Sequence, residues 1–142
     1  YALGARDTKG FYQRYEREIR PGLAARFPDP VGRSSDWNRV QETYSLYHHP
    51  DYYLPDAYDQ YPAHLHIDLL DRAQGGGWGR KMIESQLDPF RGLGLAGAHL
   101  GMSGVNQSAY GFYRHLGFTE LARTGEGADE SIYLGMKFID LD

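Results

Sequence analysis

The stretch that most constrains the fold is AQGGGWGRKM, residues 73–82, which places four glycines within five positions. Glycine loses more backbone entropy on folding than any other residue and adds nothing to a core, so such a run needs a structural reason. It follows the alternating segment AHLHIDLL (63–70) and precedes GRKMIESQLDPFRG (79–92), which has helical periodicity. A glycine loop between a strand and a helix is typical of anion sites, because backbone amides and the positive helix end converge there. The run therefore predicts an α/β fold with an anion-binding loop rather than a linker.

Two familiar phosphate-binding motifs do not fit this loop. The P-loop ends in Gly-Lys followed by Ser or Thr, whereas Gly79 is followed by Arg80 and Lys81. The dinucleotide fingerprint requires G-x-G-x-x-G and an acidic residue about 20 positions later, after a second strand, whereas this loop has the spacing Gly75, Gly77, Gly79 and no such acidic residue follows it. The spacing that does fit is Gln-x-x-Gly-x-Gly, which begins at Gln74 and ends at Gly79.

A second motif follows after one predicted strand, LAGAHLGMS (95–103). The stretch NQSAYGFYRHLGF (106–118) matches Asn-x-x-Ala-x-x-Phe-Tyr-x-x-Leu-Gly-Phe at every specified position. With these two motifs in this order, the chain resembles the GNAT superfamily of acetyl-CoA-dependent N-acetyltransferases. YPAHLHIDLL, the glycine loop, AHLGMS and the long segment before them are similar to the acetyltransferase-like C-terminal domain of O-GlcNAcases and its free-standing bacterial relatives.

The resemblance implies the fold. We expect an α/β fold of the α+β type, with a central mixed and mostly antiparallel twisted sheet that splays at the cofactor cleft and is flanked by helices. We expect residues 1–142 to form a single acetyltransferase domain, with residues 6–60 as a helical and loop insert before the cofactor-binding strand. The first strands and helices of the family fold are expected upstream of Tyr1. The stretch TKGFYQRYEREIR (8–20) predicts an amphipathic helix interrupted near Pro21.

The resemblance also implies a cofactor site for acetyl-CoA. Its pyrophosphate is expected on the loop amides, its pantetheine arm on the backbone of the strand, and an amide side chain beside that arm. The residues so implied are Ile67, Leu69, Gln74, Gly75, Gly76, Gly77, Trp78, Gly79, Arg80, Asn106, Ala109, Phe112 and Tyr113. Two alternatives stay open: Arg80 as a solvated surface arginine, and Asn106 as the N-cap of the following helix.

Three residues are candidates for catalysis. Tyr113 occupies the position at which the family places an acid near the departing thiolate, although its spacing also suits a core aromatic. His64, His66 and Asp68 share one face of the predicted strand, and Asp68 is favoured over His66 as the base that deprotonates an amine. The same pattern resembles a metal site, but the family chemistry implies none.

Composition narrows the remaining classes. The chain has no cysteine, which excludes a cysteine acyl-enzyme and favours direct transfer of the acetyl group. A net charge of −4 argues against nucleic-acid binding, and no apolar run is long enough for a membrane helix. We expect a cytoplasmic protein whose partners are a CoA thioester and an amine acceptor. The alternative is a non-catalytic acyl-CoA-binding or protein-recognition module.

An acidic, tyrosine-rich span precedes the strand. Between Arg39 and Arg72 there is no lysine or arginine, while acidic residues and tyrosines alternate from Glu42 to Tyr61. This span is interpreted either as a solvated loop held down by its aromatic side chains or as an approach for a cationic acceptor.

Overall fold

The computed structural model describes residues 1–50, 52 and 56–138, with the backbone alone at 56 and 57. It divides into two compact units: Tyr1–Thr8 with Pro55–Asp142, and Lys9–Leu54. The first unit contains the sheet, and the second contains most of the segment predicted as an insert. The single-domain organisation stays a prediction, as does the acidic approach, part of which lies at residues 51 and 53–55, outside the described residues.

The first unit is built on a five-stranded sheet in the order β1-β2-β3-β5-β4. Its strands are β1 Ala2–Ala5, β2 Ala63–Ile67, β3 Gly97–Ser103, β4 Thr119–Thr124 and β5 Ser131–Lys137. β2 and β3 are parallel, and the other three pairs are antiparallel. The mixed, mostly antiparallel sheet predicted from the sequence is confirmed.

The sheet opens between its two parallel strands. β2 and β3 pair only at Ala63 with Ala98 and at His64 with His99. Beyond this point β2 runs on to Ile67 and β3 to Ser103 without further pairing between them. The expected splay is therefore present, at the end of β2 that leads into the glycine loop.

Two helices cover one face of the sheet. The helix α4 spans Trp78–Gly92 and α5 spans Gln107–His115. α4 buries Ile83, Leu87 and Phe90, whose spacing of four and three residues places them on one side of the helix. They join a core of Ala63, Leu65, Ala98, Leu100, Tyr113, Phe118, Ile132 and Leu134. Each large apolar side chain buried there contributes about 1.5–3 kcal/mol, which fixes both helix starts relative to the open end of the sheet.

The opposite face of the sheet carries a buried histidine. His99 is 5% exposed, and its Nδ1 lies 2.7 Å from the carbonyl oxygen of Tyr61. Its ring stacks on Tyr58 with centroids 3.7 Å apart, and the ring of His64 lies 5.9 Å away. Burial lowers the pKa of His99 to about 4 and also lowers the pKa of His64. Both imidazoles are consequently neutral at pH 7.

The second unit is helical, with α1 at Thr8–Arg14, α2 at Arg20–Arg26 and α3 at Arg39–His48. A π-helical turn at Tyr15–Ile19 links α1 to α2, so the helix is interrupted before Pro21 rather than at it. Pro21 lies in the first turn of α2. Across the described ranges, no helix is both long and apolar enough to cross a bilayer.

Candidate functional site

A cavity of about 550 Å³ lies at the open end of the sheet. Its walls come from the end of β2, the glycine loop, the start of α4 and the first turns of α5. The lining residues are Ile67, Asp68, Leu69, Gln74, Gly75, Gly77, Gly79, Arg80, Asn106, Ser108, Ala109, Phe112 and Tyr113. Both sequence motifs therefore face one space.

The glycine loop presents free amides to this space. Gly75 and Gly77 have φ values of +77° and +76°, the left-handed conformation that glycine adopts without a steric penalty. A Cβ at either position would find no atom within 4 Å, so space is open above both. Gly77 precedes α4 and provides no side-chain cap. Along α4, Lys81 is the first residue whose backbone N–H donates to a carbonyl oxygen, that of Gly77. The amides of the first turn are consequently available to an anion.

Gly79 has a different role, because it brings the two motifs into contact. A Cβ there would lie 3.0 Å from Cζ of Phe112 and 3.3 Å from Cδ1 of Leu69. Only a residue without a side chain lets the start of α4 approach α5 and the end of β2 this closely. The last glycine of the motif thus sets the width of the cavity.

The side chain of Gln74 braces the loop from within. Its Nε2 donates to the carbonyl oxygen of Leu69 and to Oδ1 of Asp71, each at 3.3 Å. These bonds fold the loop back on the end of β2. Gln74 therefore lines the cavity while it holds the loop in position.

The end of β2 turns alternate backbone groups toward the opening. Tyr1 and Asp68 exchange two backbone hydrogen bonds, of 2.9 and 3.0 Å, on the β1 side of the strand. Neighbouring residues of a strand present their backbone groups to opposite sides. Those of Ile67 therefore point away from β1 and toward the side of β3, with which β2 no longer pairs at this residue. Ile67 and Leu69 both line the cavity.

Tyr113 closes the inner end of the cavity. It is 8% exposed and packs between Phe112 and Phe118, with ring centroids 5.2 and 5.8 Å away. Burial raises the pKa of its phenol to about 12. Within the described part of the chain its hydroxyl makes no hydrogen bond, so it is a protonated donor at neutral pH.

Asn106 performs the capping role that the sequence left open. Its Oδ1 accepts a hydrogen bond of 3.0 Å from the backbone N–H of Ala109. Because the partner is a donor, the assignment of the amide oxygen is fixed, and Nδ2 is left to donate into the cavity. The cap and a cofactor contact are therefore compatible. Ser108, in the first turn of α5, lines the same cavity and was missed, because the motif leaves its position unspecified.

Three sequence-predicted site residues do not line the cavity. His66 is exposed, and its ring stacks on Tyr1 at 5.8 Å, whereas Asp68 faces the cavity. Gly76 and Trp78 alternate with the lining residues of the loop but are themselves turned outward. His66 therefore lies on a part of β2 that is open to solvent. Among the described residues, no group of three or more potential ligands is arranged to hold a metal ion.

Comparison with solved structures supplies the family, although no family model matches the chain. SsHAT is 37% identical over 99% of this chain and 66% of its own length, with a TM-score of 0.80. Two others share the fold at lower identity. The yncA protein of Salmonella typhimurium, solved with its cofactor acetyl-CoA, is 19% identical over 63% of this chain, and Ard1 of Thermoplasma volcanium is 17% identical over 58%. Both have TM-scores of 0.51.

These matches differ in how much of each chain they cover. The chain spans 66% of the length of SsHAT and 55% and 59% of the other two proteins. Only the match to SsHAT, among these three, is long enough to include both the sheet and the helical unit. The likeness to it thus extends beyond the acetyltransferase core to the segment before β2. On its two motifs, its splayed sheet and these likenesses, the chain belongs to the GNAT superfamily of acetyltransferases.

Proposed function

We propose that this protein binds acetyl-CoA and transfers the acetyl group directly to a primary amine. The observation that carries the proposal is the single cavity onto which the glycine loop, the unpaired end of β2 and Tyr113 all open. The acetyltransferase family supports this reaction class, and the arrangement of residues supports the roles proposed below. When bound, acetyl-CoA supplies an acetyl group activated as a thioester.

The loop fits the pyrophosphate of that ligand. Gly75 and Gly77 leave open space where a side chain would otherwise project, and the uncapped amides of α4 point to an anion there. Arg80 lines the same end of the cavity and has no ion-pair partner in the described ranges. A hydrogen bond to a charged group contributes about 1.5–3 kcal/mol, so a few such bonds suffice for micromolar affinity.

The unpaired edge of β2 fits the amide-bearing pantetheine arm. Backbone groups of Ile67 and Leu69 line the opening, where an extended arm completes the missing strand pairing. Asn106 also lines the cavity, and its Nδ2 is assigned as a donor to the arm. The carbonyl of Leu69 already accepts from Gln74 at 3.3 Å, so its remaining lone pair is available.

Tyr113 is assigned as the group that assists departure of the thiolate. A thiol has a pKa near 8.5, well below the value of about 12 for this phenol. A thiolate is therefore too weak a base to hold the phenolic proton. Tyr113 acts by donating a hydrogen bond to the sulfur as negative charge develops there, and it remains protonated afterwards.

Asp68 is assigned as the base at the acceptor end. Asp68 lines the cavity at the end of β2, and in this role its carboxylate attracts a protonated amine and accepts the proton that the amine must lose. His66 is the second choice, because it does not line the cavity. With no cysteine in the chain, the amine attacks the thioester itself.

The test is calorimetric titration of the full-length protein with acetyl-CoA and with CoA, followed by an amine screen that detects released thiol. We expect micromolar binding, and turnover with at least one cationic amine. Binding without turnover across the screen would favour the non-catalytic acyl-CoA-binding module. Absence of binding to folded protein would refute both.

A further inference from the structure

An exposed indole lies beside the cavity. Trp78 is the first residue of α4 and stands between Gly77 and Gly79, which line the cavity, yet its own side chain does not. It is 55% exposed, and its Cδ1 lies 3.2 Å from the position of a Cβ on Gly76, so the indole lies against the glycine loop. One exposed aromatic is ordinary by itself, so its neighbours decide whether it has a role.

Those neighbours are cations. Nζ of Lys81 lies 4.8 Å from the centroid of the Trp78 ring, within cation–π range. Neither Lys81 nor Arg80 has an ion-pair partner in the part of the chain that the structure describes. Glu84, the next acidic residue along α4, is held by Arg91 at 3.2 Å. The loop is thus flanked by an aromatic face and two uncompensated positive charges.

We propose that Trp78 and Lys81 bind the 3′-phosphoadenosine end of CoA, the indole by stacking on adenine and the ammonium by pairing with the 3′-phosphate. The inference rests on the proposed function. Once the loop amides hold the pyrophosphate, the adenosine attached to it emerges at the first turn of α4. Stacking needs a flat aromatic face in water, and a phosphate needs an uncompensated cation, and this surface provides both.

The assignment narrows the substrate class. A pantetheine arm attached to a carrier protein presents the same thioester and amides to the cavity, but it has no nucleotide. A nucleotide platform therefore selects thioesters of free CoA. Trp78 and Lys81 contribute to affinity and specificity without touching the reacting atoms.

The experiment pairs variants with truncated ligands. The full-length wild type, Trp78→Ala and Lys81→Met are titrated with acetyl-CoA, acetyl-3′-dephospho-CoA and acetyl-pantetheine at low salt. Leu93→Ala is the matched control, because Leu93 is 57% exposed and lies at the other end of the same helix. In a Trp37→Phe background the fluorescence reports Trp78 alone, since the chain has two tryptophans.

We expect Trp78→Ala to weaken binding of both nucleotide-bearing ligands about tenfold and to leave acetyl-pantetheine unchanged. Lys81→Met should weaken acetyl-CoA about threefold and leave the 3′-dephospho ligand unaffected. Quenching of Trp78 by acetyl-CoA but not by acetyl-pantetheine would support stacking directly.

The failures of the two proposals are distinguishable. If the wild type binds acetyl-CoA and Trp78→Ala binds it equally well, the platform is refuted while the proposed function stands. Equal affinity of the wild type for acetyl-pantetheine and acetyl-CoA would also refute the nucleotide platform. It would indicate that the natural donor is a pantetheine arm attached to a carrier protein. If the wild type binds none of the three ligands, the proposed function falls, and this inference falls with it.

Discussion

The buried His99 makes folding stability depend on pH on the acidic side of neutrality. Its pKa is lowered from 6.5 to about 4, chiefly by burial. The unfolded chain therefore binds a proton more readily than the folded chain between these two values. Stability is at its full value above pH 6.5 and falls as the pH drops toward 4.

The size of the effect follows from the two pKa values. At 1.36 kcal/mol per pKa unit, the full difference corresponds to about 3.4 kcal/mol of unfolding free energy. About 2 kcal/mol of this is lost between pH 7.5 and pH 5. His64, whose pKa is also lowered and whose ring lies 5.9 Å away, adds to the loss in the same direction.

Urea unfolding, followed by circular dichroism at pH 7.5, 6 and 5, measures this loss. The variant His99→Gln keeps a donor for the carbonyl of Tyr61 but cannot take up a proton, so its stability should vary about 2 kcal/mol less over this range than that of the wild type. His66→Gln is the control, because His66 is exposed, and it should keep the wild-type dependence. If His99→Gln follows the same pH curve as the wild type, His99 is not the group responsible and the reasoning from its burial is wrong.

Three predictions concern the cavity. Gly77→Glu should abolish acetyl-CoA binding and cost about 1–2 kcal/mol of stability, because φ there is +76°; Gly77→Ala carries the same strain without the charge, and equal binding by both variants would contradict an anion site. Tyr113→Phe should keep acetyl-CoA affinity within about twofold but lower kcat about 100-fold, and unchanged kcat would exclude it as the hydrogen-bond donor to the departing thiolate. Asp68→Asn should lower kcat/KM for amines without affecting CoA affinity, whereas His66→Gln should change neither; the reverse result would transfer the role of base to His66.

The parts of the fold that local sequence specifies were predicted well. The alternation in AHLHIDLL and the 83/87/90 spacing define β2 and α4, because strand and helix periodicities are set by local backbone geometry. The parallel pairing of β2 and β3 and its early end come from the family resemblance. No local pattern distinguishes Ile67, where pairing with β3 has ceased, from Ala63, where it is present. The position of the π-helical turn at Tyr15–Ile19 likewise has no signal as clear as that of Pro21, to which the interruption had been assigned.

Prediction of individual site residues failed where the chain leaves regular structure. Period-two alternation placed His66 and Asp68 on one face, but β2 ends at Ile67. Three consecutive residues, Ile67, Asp68 and Leu69, then line the cavity. In a pleated strand, successive side chains point to opposite faces, so three in a row cannot all line one cavity through their side chains. Backbone and side chains therefore share the lining, and only three-dimensional structure separates Asp68 from His66.

The arrangement of charge along the cavity connects binding with chemistry. Arg80 and the uncapped amides of α4 make the loop end positive, and Asp68 places a carboxylate at the end of β2. Under the proposed function, the positive loop would attract the anionic cofactor, and the carboxylate would attract a cationic acceptor. Tyr113 lies buried between Phe112 and Phe118, where its phenol stays neutral and donates a hydrogen bond without adding charge. The variant Arg80→Glu adds a second carboxylate at the loop, whereas Arg80→Met only removes the positive charge. Arg80→Glu should therefore weaken acetyl-CoA binding more than Arg80→Met, and calorimetry on the two variants measures that difference.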